Sequence, residues 1–131
     1  MAQQHGFEFI GKHCRSLGEI DYFYKITHKD HPLWTSFNYM FIECKNWKKT
    51  IPSKEVSHFL TLLKRKNIFK CFGIYLTTSK LSPEAVTDIE SSQIRDGLIV
   101  FALDKNKLSD LINSGFKDSL QDEFNMMIAK A

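Results

Sequence analysis

Cysteine is scarce. Cys14, Cys44 and Cys71 lie far apart, an odd number with no CxxC pair, which argues against a disulfide framework and suits a reducing compartment. They read as small core residues. No Pro/Gly/Ser-rich linker, repeat or low-complexity tract interrupts the chain, so no internal boundary is proposed. No apolar run is long enough to span a bilayer, and the start MAQQHGFEF lacks the basic-then-apolar layout of a secretory signal. The expectation is a soluble, intracellular, cytoplasmic protein that does not enter a membrane. There is no GxGxxG, no P-loop, and no Ser or Cys in a nucleophile motif, which disfavours a small-molecule enzyme of another α/β class. Charge of one sign is also lacking. A net +3 is a weak pointer to an anionic partner, because clustering matters more than the total.

What the chain has in quantity is apolar and aromatic surface. With 43% hydrophobic and 13% aromatic residues in 131, it is long enough for one domain with a real core and short for two. Phe7 to Arg15 reads as a first strand. GEIDYFYKI then alternates, with Ile20, Tyr22, Tyr24 and Ile26 on one face and Glu19, Asp21, Phe23 and Lys25 on the other. THKDHP reads as a loop around Pro32, and its His28, Asp30 and His31 as loop residues rather than zinc ligands. A long third strand, WTSFNYMFIECK, is expected next, with Met40, Ile42 and Cys44 on one face and Phe37, Tyr39, Phe41, Glu43 and Lys45 on the other.

After TIPSK the period changes: Val56, Phe59, Leu60 and Leu63 form one stripe of an amphipathic helix ending in Lys64, Arg65 and Lys66. FKCFGIYLTT reads as a strand buried on both faces. Ser82-Pro83-Glu84 predicts a helix start, Ala85, Val86 and Ile89 its inner face, and Gly97 its stop. GLIVFALD is a further strand, and residues 108–131 look helical in one or two pieces, with Phe116, Leu120, Phe124 and Met127 as a core stripe. The order β-β-β-α-β-α-β-α implies an α/β fold with a mixed sheet and helices packed against it.

A hairpin centred near residues 31–32 sets Asp21 opposite Glu43. Two carboxylates on one sheet face repel unless something positive lies between them, and Mg²⁺ fits as a hard cation that takes one or two carboxylates and leaves room for phosphate oxygens. The Cys44 carbonyl is a further oxygen donor, and Lys45 stands on the same face, close enough to act on an attacking water or on charge building at phosphorus. Lys48, Lys49 and Lys54 would flank such a site and contact phosphates, with Trp47 and Thr78 as further contacts. The plainer reading of Trp47 and Thr78 is strand exit and packing.

GEID, twenty-one residues, ECK, an amphipathic helix and then YLTTSKLSPEA together resemble the PD-(D/E)XK nuclease superfamily, most closely its Mrr-like branch. The likeness covers roughly Gly18 to Ile89. It implies a restriction endonuclease-like three-layer α/β/α fold, with Asp21 and Glu43 holding Mg²⁺, for which Mn²⁺ would substitute, and Lys45 assisting the attacking water. It implies a Mg²⁺-dependent endonuclease acting on DNA, often as a homodimer. The alternative is a catalytically inactive nucleic-acid-binding or protein-interaction domain on the same scaffold. Ile20 stands where the family's proline is usual. Only six residues precede Phe7, where a helix with another acid is usual, so that helix is abbreviated or the chain is a piece of a longer protein. Glu8 and Glu19 are the candidates for the missing carboxylate, Glu19 being preferred because it shares Asp21's face.

Overall fold

Alternating apolar and polar side chains, followed by helical stripes, fold in the computed structural model into five strands and five helices among the described residues. The structure describes residues 6–16 and 19–130, and only the backbone of 14–16, 19 and 20. The strands are β1 (Phe7–Ser16), β2 (Glu19–Ile26), β3 (Tyr39–Lys45), β4 (Cys71–Thr77) and β5 (Val100–Leu103). The helices are α1 (Pro32–Ser36), α2 (Ser53–Lys66), α3 (Pro83–Asp96), α4 (Lys105–Ser114) and α5 (Phe116–Lys130), with a 3₁₀ turn at Asn67–Phe69. The sheet order is β1-β2-β3-β4-β5, antiparallel through β3 and parallel from β3 to β5. This is the mixed sheet expected from a meander followed by crossover helices.

Each face of the sheet has its own core. On one, Tyr24, Met40, Ile42, Phe72 and Ile74 pack with Leu33 and Trp34 of α1 and Phe116, Leu120 and Phe124 of α5. On the other, Phe41 and Tyr75 pack with Val56, Phe59, Leu60 and Leu63 of α2 and Ala85 and Ile89 of α3. Gly73 is where α2 comes nearest: a Cβ there would stand 2.7 Å from Leu63 Cδ2 and 2.8 Å from Phe59 Cζ, so only glycine lets the helix sit this low. Ser82 caps α3 by accepting from the Ala85 amide at 3.1 Å, and Gly97 ends it in the left-handed conformation at φ 67°.

Several expectations are corrected. The third strand begins at Tyr39, because Trp34, Thr35 and Ser36 belong to the one-turn helix α1, whose start is held by His31 Nδ1 accepting from the Leu33 amide at 3.0 Å. Phe37 therefore lies outside the strand alternation and meets Phe72 on the opposite face from Tyr39 and Phe41. Phe69 sits exposed in the 3₁₀ turn rather than in β4, and Val86 points outward while Ser92 takes an inner place on α3. The strand β1 also carries a bulge. Phe9 pairs with Tyr24 and Gly11 with Phe23, leaving Ile10 as an extra residue.

The Cys71 thiol is buried at the start of β4, and burial pushes it up to about 12 from an ordinary 9.0. A folded-state value above the unfolded one means the thiol's contribution is intact below about pH 9 and is lost as pH rises towards 12. At about pH 10.5 the loss should be on the order of 2 kcal/mol. Urea midpoints measured at pH 8 and 10.5 should fall more steeply for the natural chain than for Cys71→Ala, and parallel slopes would contradict this.

Candidate active site

The hairpin joining β2 and β3 brings the acidic residues together. The register pairs Asp21 with Glu43 directly, and the parallel ladder places Tyr75 on the other side of Glu43, so the three form one row across β2, β3 and β4. Asp21 is 6% exposed, Glu43 0% and Lys45, two residues further along the same face of β3, 1%. Charged groups are this deeply buried only where other charges or donors compensate the lost hydration.

Part of the compensation comes from a residue the sequence reading passed over. Glu55, in the first turn of α2, reaches the Lys45 ammonium with Oε2 at 2.7 Å, while Glu43 Oε2 lies 3.6 Å from the same nitrogen. The available signal was an acid in the first turn of the crossover helix that follows ECK, since that turn must return over the strand's end. The helix start is fixed from two sides. Ser53 Oγ donates to the Asp88 carboxylate on α3, and Ile51 bridges to Leu81 in the loop before α3. The Lys45 ammonium also lies 4.9 Å from the centre of the Trp47 ring.

Behind the row, on the opposite face, the half-buried Cys44 thiol is pushed up to about 11, chiefly by burial and then by the Asp21 and Glu43 carboxylates. This thiol is therefore protonated at neutral pH and a poor nucleophile.

The other residues singled out in the sequence surround this row. Trp47 is half-buried, with Lys49 Nζ 5.1 Å from its ring centre. Lys48, Lys49 and Lys54 are all exposed. The Thr78 hydroxyl donates to Asn46 Oδ1 at 3.0 Å and approaches the Trp47 carbonyl at 3.2 Å, tying the exit of β4 to that of β3. Glu8 is exposed and pairs with Lys25 at the far end of the ribbon from Asp21. The backbone of Glu19 is paired with Lys45, but its side chain lies outside the described residues.

The family model for the Mrr catalytic domain, described as a restriction endonuclease, matches residues 1–112. The chain belongs to this restriction endonuclease family. Its five-stranded mixed sheet and flanking helices are the restriction endonuclease-like α/β fold, and membership places it among nucleases acting on DNA. No curated protein matches the sequence. The nuclease domain's α5 lies beyond the matched residues, yet Phe116, Leu120 and Phe124 are buried in the core of the sheet. Among the described residues, no helix is long and apolar enough to cross a membrane.

Among the described residues no three His, Cys, Asp or Glu side chains form a group that could hold a metal by themselves. The acidic row offers two carboxylates, and the Glu43–Lys45–Glu55 contacts bring a third together with a single ammonium. All are hard oxygen donors in negative excess, and a cation that keeps several of its waters needs no more than one or two side chains. The donor chemistry fits Mg²⁺.

Proposed function

We propose that this nuclease domain, residues 1–131 as one unit, is a Mg²⁺-dependent endonuclease hydrolysing phosphodiester bonds in DNA. The observation that carries the reading is the buried pairing of Asp21 with Glu43 beside Lys45. Asp21, Glu43 and the carbonyl of Cys44 would hold Mg²⁺, with Glu19 as a further carboxylate and Mn²⁺ able to substitute. The ion's chemistry is to polarise a phosphate oxygen and to lower the pKa of water.

The chain's own residues have distinct tasks in this reading. Asp21 and Glu43 bring negative charge to a dry position where a cation is needed and a second anion would otherwise be repelled. Lys45 hydrogen-bonds to the attacking water and orients it, and its ammonium offsets charge gathering on the phosphate oxygens as the bond to phosphorus forms. Glu55 holds Lys45 as a positioning residue. Exposed Lys48, Lys49 and Lys54 bind flanking phosphates, while Trp47 and Thr78 shape the strand exits beside them.

A single specific observation favours the alternative of a binding domain that does not cut: the 2.7 Å pair with Glu55 occupies the ammonium that hydrolysis would use. The two readings separate experimentally. With Mg²⁺ or Mn²⁺ the purified domain should cleave DNA, and Asp21→Asn and Glu43→Gln should slow cleavage by at least ~100-fold. Mg²⁺ should also raise the melting temperature of the natural chain and not of those variants. Metal-independent, salt-sensitive DNA binding left unchanged in Asp21→Asn, with no cleavage, would establish the binding domain instead.

A further inference from the structure

Where α2 ends, residues 64–70 read KRKNIFK, and two apolar side chains project into solvent: Ile68 is 79% exposed and Phe69 58%. Both belong to the 3₁₀ turn between α2 and β4. Exposed Lys64, Arg65 and Lys70 flank them along the chain, and Asp96 of α3 meets Lys64 at 3.5 Å. Cations suit the last turn of a helix, which accounts for Lys64 and Arg65 but not for Lys70 or the apolar pair. The turn is pinned. Lys70 donates its amide to the Asn67 carbonyl at 3.0 Å, and its own carbonyl accepts from the Asn38 and Tyr39 amides at 2.8 and 3.2 Å. It does so in the left-handed conformation, at φ 58°, where glycine would sit without strain and lysine keeps a cation.

We infer that Ile68 and Phe69 form an apolar wedge that enters the minor groove of duplex DNA at a base step, while Arg65 and Lys70 hold the phosphates beside it. The inference rests on the nuclease reading for where the duplex lies. Charge names the occupant: an apolar tip between cations complements a polyanion whose apolar surface is its base stack. A lipid surface carries the same charge, but the apolar stripe of α2, Val56, Phe59, Leu60 and Leu63, is already buried in the core. Two side chains remain where a membrane-bound helix presents a whole face. Isoleucine has no ring to stack on an unpaired base, so its pairing with phenylalanine suits a wedge rather than a stacking platform. The position agrees. Asp21 and Lys66 line one open groove, so the surface beside the acidic row continues to the turn. The 14 residues of α2, at about 1.5 Å each, separate the turn from the site by about 20 Å, a stretch of about six base pairs.

Phe69→Ser and Lys70→Gly provide the test, because both side chains are exposed. Phe69→Ser should melt with the natural chain, and Lys70→Gly at the same temperature or higher, since glycine relieves the left-handed residue. Anisotropy titrations in EDTA would use a labelled duplex containing a TA step. Phe69→Ser should weaken binding about tenfold, and Lys70→Gly about threefold with a salt slope shallower by about one. A 2-aminopurine at the TA step should brighten when the natural chain binds and not with Phe69→Ser. Unaltered duplex affinity in both variants, or a probe that stays dark under the natural chain, would overturn the inference. So would a Phe69→Ser loss seen only with vesicles of phosphatidylserine and phosphatidylcholine. The nuclease reading fails separately. If the natural chain never cleaves DNA but the variants lose the duplex and the probe signal, the wedge stands alone. If cleavage is normal while both variants bind as the natural chain does, the wedge is wrong and the nuclease reading survives.

Discussion

Lys45→Met should lose at least ~100-fold in cleavage rate and, in the same molecule, about 3–5 kcal/mol of folding stability. The two losses share one cause. The ammonium is 1% exposed and lies within 2.7 Å of Glu55 and 3.6 Å of Glu43, itself 0% exposed. Methionine fills much of the volume but leaves the fully buried Glu43 carboxylate without this ammonium, while Glu55, with 31% of its side chain exposed, can turn to water. Breaking a buried ion pair from one side is far more damaging than replacing the pair, because the remaining charge keeps its desolvation cost. Lys45→Met/Glu43→Gln should therefore recover part of the stability and none of the activity. Urea unfolding at pH 7 checks the first statement and a DNA cleavage assay the second. A Lys45→Met midpoint equal to the natural one would mean that the ammonium is hydrated and the site far wetter than its burial implies.

Phe59→Ala should cost about 3–5 kcal/mol, the range for emptying an aromatic position in a core. Phe59 is fully buried, stacked on Phe41 at 5.5 Å and edge-on to Tyr75 at 5.2 Å. It rests above Gly73, where the backbone leaves no alternative filling. The ring stands one turn after Glu55 on α2, between the helix and the strands that carry the site. The cavity should loosen α2 over β3 and lower the cleavage rate even at temperatures where the variant is folded. Thermal unfolding and cleavage at low temperature measure the two effects. Phe59→Leu, with most of the volume restored, should recover most of both.

The pairing at the centre of the site was legible because a hairpin obeys counting: residues equidistant from its turn face each other, and period-two alternation then assigns the faces. The α2 stripe was legible for a similar reason, since Val56, Phe59, Leu60 and Leu63 leave little choice of inner face. Features set by single contacts were not. The helix α1 is one turn long, too short for periodicity, and depends on a histidine cap and on burial of Leu33 and Trp34. Glu55 looked like any acid at a helix start, and its partner is known only once α2 is laid over β3. Val86 is exposed although Ala85 and Ile89 beside it are buried, and which of the three turns inward depends on what α3 packs against, which its own spacing does not contain.

The bulge at Ile10 has the opposite character, in that it depends on how many residues β1 has rather than on which they are. Phe9 and Gly11 are two apart and would share a face in an unbroken strand, but the extra residue sends them to opposite faces. Phe9 lies edge-on to Tyr24 on one side of the ribbon, while Gly11 and His13 stand over Phe23 and Asp21 on the other. Excising Ile10 would let the strand pair without interruption and keep this arrangement. Excising Lys12 instead would move His13 one place along the partner strand, away from Asp21 and onto the far side. The edge strand thus behaves like a ratchet beside the acidic row: one notch exchanges everything it presents there, without the substitution of a single residue.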